Sequence, residues 1–532
     1  MAVHDVAQPE LFDLQGRTVL VLGLGDSGLA MAHWVARQGA RLRVADTRML
    51  DGSELPGWQE LREAVPGLGM VAAPAWDDAW LDGVDLLAWS PGLSMEKGAS
   101  GAFHARALAR GITVVGELEL FALALAGLRA TADTVQDDAA PTGGDGGATA
   151  GYTPRIVAIT GTNGKTTTSA LVAHLARAAG YTVACAGNIR PAMLEALCEA
   201  LDADRLPQVW VLELSSFQLA PGSSFAPDAA VILNVAEDHL DWHASAQTYL
   251  EAKQRIHAHA AVAVFNRADA HTVPQRVDPA QRRISFGTDA PTGIGDFGLV
   301  RSGGIDWLAQ AQRADDFGPL RTGRRTRQPE AVRVQRLMPV DALRIRGAHN
   351  HLNALAALAL CAALDIPMAR TLHALQTWPG EPHRCQSVAI VDGIEYIDDS
   401  KGTNVAATAA ALRGLGRRCR LIAGGVGKDQ DFSALVEPVR AHAASVYLIG
   451  ADAGRIRTAL TPGGVPLLDC RSLDEAVARA GADARAGEVV LLSPACASFD
   501  MFRDYEHRGQ CFVAAVHALA GAASGAIGEV PA

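Results

Sequence analysis

Short apolar runs alternate along this chain with stretches of helical period, and most of the runs close on glycine, proline or an acidic residue. Near the start, an apolar run from Thr18 to Leu22, a glycine turn, a helical stretch from Leu29 to Gln38 and a second run from Leu42 to Ala45 predict a βαβ unit. The alternation continues through Leu86 to Trp89 and Ile112 to Val115, each run ending as parallel strands do at their carboxyl ends. Residues 129–154 then offer Ala, Thr, Asp, Gly and Pro with almost no large apolar side chain, so they predict a flexible insertion. Beyond it, a strand over Ile156 to Ile159 enters another glycine turn. A helix over Ser169 to Gly180 follows, with strands at Val209 to Leu212, Ala229 to Leu233 and Val262 to Val264. The glycine- and arginine-rich stretch 288–330 has weak periodicity, whereas Asn353 to Leu364 predicts a helix rich in Ala and Leu. From Val388 strands recur at Ile394 to Ile397, Leu421 to Ala423, Val446 to Ile449 and Val489 to Leu492. Strand and helix alternate throughout, which is α/β organisation.

At 532 residues the chain is too long for one hydrophobic core, and three or four units are expected. With 49% hydrophobic and 20% charged residues it reads as folded, not disordered. The formal charge of -11, from 47 basic against 58 acidic side chains, speaks against nucleic acid as a partner. Even the patch Arg321, Arg324, Arg325 and Arg327 reads as a solvated loop. The eight cysteines form no C-x-x-C pair and read as buried thiols of a reducing compartment. No uncharged apolar run is long enough to span a membrane, and the N-terminus has no basic segment leading an apolar one, so a cytoplasmic protein is expected.

The second glycine turn carries the strongest chemistry. Gly161, Thr162, Asn163, Gly164, Lys165, Thr166 and Thr167 lie between a strand and a helix. That order wraps backbone N–H groups and a helix N-terminus around an anion, supplies a lysine to neutralise it and offers a hydroxyl to Mg²⁺. Ile159 stands where the longer phosphate-loop pattern has its first glycine, so this is the shorter T-G-T-x-G-K-T-T form. Glu213, at the carboxyl end of a strand, is a candidate Mg²⁺ ligand. The stretch Leu233 to Asp241 crowds Glu237, Asp238, Asp241 and His239 after a strand, which is costly unless the cluster binds cations.

These residues, with Gly347-Ala348-His349-Asn350, Pro382-His383-Arg384 and Asp398 to Asn404, resemble the Mur ligase family over nearly the whole chain. Members add amino acids to UDP-N-acetylmuramoyl peptides. The resemblance implies three domains: an N-terminal Rossmann-like domain, a central P-loop ATPase-like parallel sheet, and a C-terminal Rossmann-like domain. Here they are expected at 1–117 for the UDP-sugar, 118–381 for ATP and 382–532 for the amino acid. Within the family, Gly23 to Gly28, Ser90-Pro91-Gly92, Glu213 to Gln218 and Leu492 to Asp500 look like the branch that adds D-glutamate to UDP-N-acetylmuramoyl-L-alanine. The signature of the diaminopimelate- or lysine-adding relatives is absent, and folylpolyglutamate synthases lack the N-terminal domain.

By resemblance, a substrate carboxylate attacks the γ-phosphate of ATP to give an acyl phosphate, and the amine then displaces phosphate. Both steps gather anions, so catalysis must come mainly from positive charge and alignment. The resemblance assigns catalytic roles to Lys165, His239, Lys253 and Lys401, and metal contacts, for two Mg²⁺, to Thr166, Glu213, His239 and a carbamylated Lys253. Spacing alone would make Lys253 a surface lysine. ATP contacts extend to Asn350, Asn353, Arg384 and Asp399, the first two also reading as helix caps. Closure of the third domain would complete that site. For D-glutamate the matching positions are Thr403, Lys428, Ser498, Phe499 and Tyr505. The expected partners are thus the two substrates and ATP, with neither nucleic acid nor membrane, and the chain is expected to be a monomer.

The first glycine turn, Gly23-x-Gly25-x-x-Gly28 with Asp46 further on, is also a dinucleotide fingerprint, and a UDP diphosphate satisfies its physics equally. Gly25, Asp26, Ser27, Asp46, Thr47, Arg48, Gly92, Asn188, Ser215 and Gln218 are the expected UDP-sugar contacts. Arg190 stands where relatives often carry glycine. Three competing functions remain: a nicotinamide-dependent dehydrogenase, which leaves the magnesium loop unexplained; a non-catalytic nucleotide-binding module, which would release no phosphate; and a ligase for another amino acid such as L-glutamate, which spacing cannot distinguish.

Overall fold

The computed structural model describes the whole chain apart from residues 1–12, 49–56, 66–67, 72–75, 134–150, 237, 277, 315–331, 346, 428–429 and 526–532. The elements build three sheets, carried by two compact units.

The first unit is built mainly from residues before 300. It opens with β1 (Thr18–Leu22), α1 (Asp26–Arg37), β2 (Arg41–Ala45), α2 (Trp58–Ala64), β3 (Gly69–Val71), β4 (Leu86–Trp89), α3 (Gly98–Ala109) and β5 (Thr113–Val115). The strands lie parallel in the order β3-β2-β1-β4-β5. β1 and β4 are buried along their whole length, which is why they read as unbroken apolar runs. Because the chain winds outward from β1 to β3 and returns to β4, a crevice opens at the carboxyl ends of β1 and β4. Gly23 follows the first and Ser90 the second.

The helix α4 (Glu117–Asp133) comes next and was not anticipated; Leu118, Leu120, Phe121 and Leu125 bury its apolar face. It carries helical structure into the segment expected to be a flexible insertion. At the far side of that segment, the Tyr152 hydroxyl donates to the Pro207 carbonyl at 2.6 Å and accepts from the Trp210 indole at 2.8 Å. Only 134–150 of it falls outside the described residues.

The same unit continues with β6 (Arg155–Thr160), α5 (Lys165–Ala178), β7 (Val183–Gly187), α6 (Met193–Asp202), β8 (Val209–Glu213), α7 (Ser216–Leu219), β9 (Ala229–Ile232), α8 (Ala246–Gln254), β10 (Val262–Asn266) and β11 (Arg282–Phe286). Parallel pairing gives the order β11-β10-β9-β6-β8-β7. Here the reversal falls at β6, flanked by β8 and β9, so the residues after β6, β8 and β9 converge. The weakly periodic stretch near 288–330 is not structureless. β12 (Phe297–Ser302) and β13 (Ile305–Arg313) lie in it, and with β14 (Val332–Pro339) they extend this sheet.

The second unit holds α9 (Ala348–Ala363) in part and the third sheet: β15 (Gln386–Val391), β16 (Ile394–Asp398), β17 (Cys419–Gly424), β18 (Ala443–Ile449), β19 (Leu467–Asp469) and β20 (Val489–Leu492). Its order is β15-β16-β20-β17-β18-β19, parallel except for the β15–β16 hairpin. The loops after β16, β17 and β20 share one end of this sheet. The Cβ of any side chain at Gly424 would stand 1.8 Å from the Ile449 carbonyl oxygen, so the backbones there approach as only glycine allows.

Candidate active site

The crevice at β1 and β4 is a cavity of about 410 Å³. Gly25, Asp26, Ser27, Asp46, Thr47, Arg48, Gly92, Asn188, Ser215 and Gln218 all line it, so every residue expected at a UDP-sugar is brought to one place. Gly28 holds the turn tight, since a Cβ there would lie 1.7 Å from the Gly23 carbonyl oxygen. Beneath the turn, the buried Asp46 carboxylate accepts from the Leu24 amide at 2.7 Å, the Arg48 amide at 2.9 Å and the Arg48 guanidinium at 2.6 and 2.9 Å. Burial alone would raise the Asp46 pKa. The Arg48 guanidinium and the two amides outweigh it and hold the carboxyl below its usual range.

Asn188 ties this cavity to the next site. Its amide N–H donates to the Glu213 carbonyl at 2.7 Å and its Nδ2 to Glu213 Oε1 at 2.9 Å. Glu213 is 2% exposed, and its Oε2 is buried with no hydrogen-bond partner among the described residues. Such an oxygen needs a cation or donor to be stable there. That is the fit expected for a magnesium ligand, and the Thr166 hydroxyl in the first turn of α5 is the other candidate oxygen. Among the described residues no group of His, Cys, Asp and Glu side chains forms a cage of its own.

In the glycine loop after β6, Gly164 takes the left-handed conformation at φ 84° just before Lys165 opens α5. Lys165 Nζ folds back onto the carbonyls of Gly161 at 2.9 Å and Thr162 at 3.0 Å. Lys253, expected on spacing alone at a helix surface, is instead 2% exposed and donates to the same Gly161 carbonyl at 3.0 Å. Burial first, then the charge of Lys165, pushes its pKa well below the lysine range. The loop is clamped from β9 as well. Asn163 N–H donates to Asn234 Oδ1 at 2.9 Å, and Asn234 Nδ2 returns a bond to the Asn163 carbonyl at 3.0 Å. Thr162 Oγ1 shares a bond with the Tyr249 hydroxyl at 2.8 Å, and Thr167 is buried.

His239 occupies the sparsely populated left-handed region at φ 55°, its ring 4.8 Å from that of Phe217. The acidic cluster around it is not the costly crowding that its sequence suggests. Asp238, His239 and Asp241 are all solvent-exposed, and Glu237 lies outside the described residues.

In the second unit, Asn350 and Asn353 do not cap α9. Both stand within the helix, buried, with Asn353 Nδ2 donating to Asn350 Oδ1 at 3.0 Å. Asp399 faces inward, accepting from the Cys385 amide at 3.2 Å and the Ser493 hydroxyl at 2.7 Å, and burial raises its pKa to about 6. Arg384 lies in the turn before β15, its amide donating to Glu381 at 3.3 Å. Lys401 Nζ stands 5.1 Å above the Tyr505 ring, and Thr403 N–H donates to the Lys401 carbonyl at 2.9 Å. Ser498 Oγ is buried with no partner among the described residues, while Phe499 is 68% exposed. Lys428 lies outside the described residues.

Sequence reasoning gave no role to three cavity and loop residues, Phe217, Asn234 and Tyr249, and marked Arg190 only as a departure. Phe217 had a signal, being flanked by the expected Ser215 and Gln218; the others are identified only by partners remote in sequence.

Comparison with known proteins finds three matching segments. Residues 17–116 match the family description "Mur ligase MurD-like, N-terminal domain", 159–361 "Mur ligase middle domain" and 383–496 "Mur ligase, glutamate ligase domain". The chain is 51% identical over 516 residues to UDP-N-acetylmuramoylalanine–D-glutamate ligase of Ralstonia nicotianae, covering 96% of this chain and 98% of the relative. It is 50% identical over 518 residues to the ligase of the same name from Burkholderia thailandensis, again covering 96% and 98%. Among solved structures, UDP-N-acetylmuramate-alanine ligase MurC from Thermotoga maritima superposes with a TM-score of 0.51 at 18% identity, covering 94% of this chain and 99% of that one. A MurF ligase from the same organism, in complex with ADP, gives 0.50 at 15% identity, covering 95% and 96%. The last two share its fold.

Proposed function

The chain belongs to the Mur ligase family, with that family's three-domain α/β fold, and we infer that it joins D-glutamate to UDP-N-acetylmuramoyl-L-alanine with conversion of ATP to ADP and phosphate. The run of relatives at about half identity over nearly the whole chain, named for that reaction, carries this conclusion. It is an ATP-dependent amide-bond ligase of peptidoglycan precursor synthesis.

The geometry supports a division of labour. The cavity after β1 and β4 holds the UDP-sugar, with Arg48 at the uridine end and Asn188, Ser215 and Gln218 towards the sugar. The substrate carboxylate attacks the γ-phosphorus of ATP, the bond to the β-phosphate oxygen breaks, and an acyl phosphate and ADP result. The amine of D-glutamate then adds to the acyl carbon, and phosphate leaves with loss of a proton from nitrogen. Lys165 sits at the loop where negative charge gathers in the first step; turning from its loop carbonyls, it can reach a phosphate without recruiting a cation from solvent. Asn350, Asn353, Arg384 and Asp399 are proposed for the nucleotide, and Lys401, Thr403, Lys428, Ser498, Phe499 and Tyr505 for the incoming amino acid. The unpartnered buried Ser498 hydroxyl suits a carboxylate.

Thr166, Glu213 and His239 would hold two magnesium ions, whose bound charge would offset that of the phosphates. Lys253 is proposed to serve as a carbamate. Burial lowers its pKa and so favours the neutral amine, whose lone pair adds to the carbon of CO₂; the nitrogen then releases a proton and the neutral group becomes an anion. All eight cysteines are free, which accords with a cytoplasmic enzyme, and among the described residues no helix is long and apolar enough to cross a membrane. The chain is proposed to work as a monomer; light scattering at the assay concentration checks this.

The deciding experiment measures phosphate release with ATP, Mg²⁺ and UDP-N-acetylmuramoyl-L-alanine while the amino acid is varied. Release with D-glutamate and not with L-glutamate is expected. No release with D-glutamate would overturn the assignment.

A further inference from the structure

The turn after β7 is held by hydrogen bonds on both sides of Arg190. Gly187 N–H donates to the Pro191 carbonyl at 3.1 Å, Ala192 N–H to Glu195 at 3.0 Å, and Leu194 N–H to the buried Glu117 at 3.0 Å. Between these anchors the Arg190 side chain is 81% exposed. It lines the cavity and grips Asp26, in the first turn of α1, with both prongs of its guanidinium, Nε at 2.9 Å and Nη2 at 2.6 Å.

The cavity lining thus includes two carboxylate–guanidinium couples of unequal permanence. Asp46 is 3% exposed and takes amide as well as guanidinium donors, so its bond to Arg48 is built in. Asp26 is 54% exposed, and an ion pair that open to water is weak. Asp26 is also the first residue of α1, so its charge sits at the helix N-terminus to which an anion would be drawn. A diphosphate entering there would meet like charge unless a cation stood beside Asp26. The guanidinium fork that fits a carboxylate fits a phosphate equally well.

We propose that Arg190 is a substrate-binding residue that exchanges the Asp26 carboxylate for diphosphate oxygens of the UDP-sugar. This rests on the assignment of the cavity to a UDP-sugar. The fixed backbone sets where the arm is rooted; the exposed, weakly held pair lets the fork change partners.

The test titrates the full-length protein with UDP and separately with uridine, which lacks the diphosphate, following binding by NMR. The parent should bind UDP more tightly than uridine. In Arg190→Ala, UDP binding should weaken about tenfold, the value of one charge-assisted contact, with uridine unmoved. Arg190→Lys, with charge but no fork, should restore only part, and Asp26→Asn should bind UDP at least as tightly as the parent. If Arg190→Ala keeps the parent's ratio of UDP to uridine affinity, this proposal falls and the cavity assignment stands. If the parent binds no UDP, both fall. The surface position of Arg190 leaves the fold intact, which the circular dichroism of each variant checks.

Discussion

Two passages of this chain run from a strand through a glycine turn into a helix, and they face anions with opposite equipment. After β1 the turn has an acid at the helix start, Asp26, and another beneath it, Asp46; the cations that answer them, Arg190 and Arg48, come from other segments. After β6 the turn has Lys165 at the helix start, and the buried Lys253 nitrogen donates to the same Gly161 carbonyl. A diphosphate that is only held needs shape, amides and a few adjustable cations. A phosphoryl group that is transferred changes its charge distribution during the reaction, and the cation that follows it must be built into the loop. On the proposed function, the two turns differ in chemistry because one binds and the other reacts.

That contrast can be broken most sharply at Lys165. Lys165→Ala should lower phosphate release by about 10³-fold or more while UDP still binds at the first turn; near-normal turnover would erase the distinction. A loss of about 10²-fold is expected for Lys253→Ala, and in the parent, rigorous removal of CO₂ should depress activity until bicarbonate restores it. Carbon-13 NMR with labelled bicarbonate should show a carbamate signal that Lys253→Ala lacks. Activity indifferent to CO₂ would argue for an unmodified amine.

The first turn predicts smaller, structural effects. Gly28→Ala forces a Cβ against the Gly23 carbonyl oxygen and should destabilise by about 3 kcal/mol, seen in the thermal melt. At Gly25 a Cβ meets nothing within 4 Å, so Gly25→Ala should melt as the parent does and show its defect only in UDP titration. Equal melts for the two would mean that the turn does not need its close backbone approach. The gentlest test concerns Glu117, which burial pushes from 4.5 up to about 7. The folded chain holds that proton more tightly than the unfolded one, so its contribution is present below pH 4.5 and is lost as pH rises through 7. Glu117→Gln should therefore melt a few degrees above the parent at pH 8 and show no such advantage at pH 4. An advantage that is flat with pH would remove Glu117 as its cause.

How much of this was legible follows from physical range. β1, β4 and β20 coincide with their predicted spans because strands buried on both faces are unbroken apolar runs. β12 and β13 were missed because their burial is partial and Gly and Arg interrupt the alternation. α9 begins before its predicted start, since His349 and Asn350 hide the first turn of an otherwise apolar helix. In the site, the phosphate loop was readable because its working groups are consecutive. Lys253 took its meaning from a resemblance, since its bond to Gly161 spans 92 residues. Arg190 was visible as a departure, but Asp26, 164 residues away, is what gives it a task.

The reciprocal bonds between Asn163 and Asn234 carry a consequence for how such a site changes over time. One primary amide gives and receives across two loops, and no other side chain of that length offers both an acceptor and a donor. Aspartate would lose the donor, and glutamine would overreach. Drift at position 234 is therefore blocked unless the glycine loop shifts with it. Across descendants of this chain the two segments should vary together or not at all, as one inherited part.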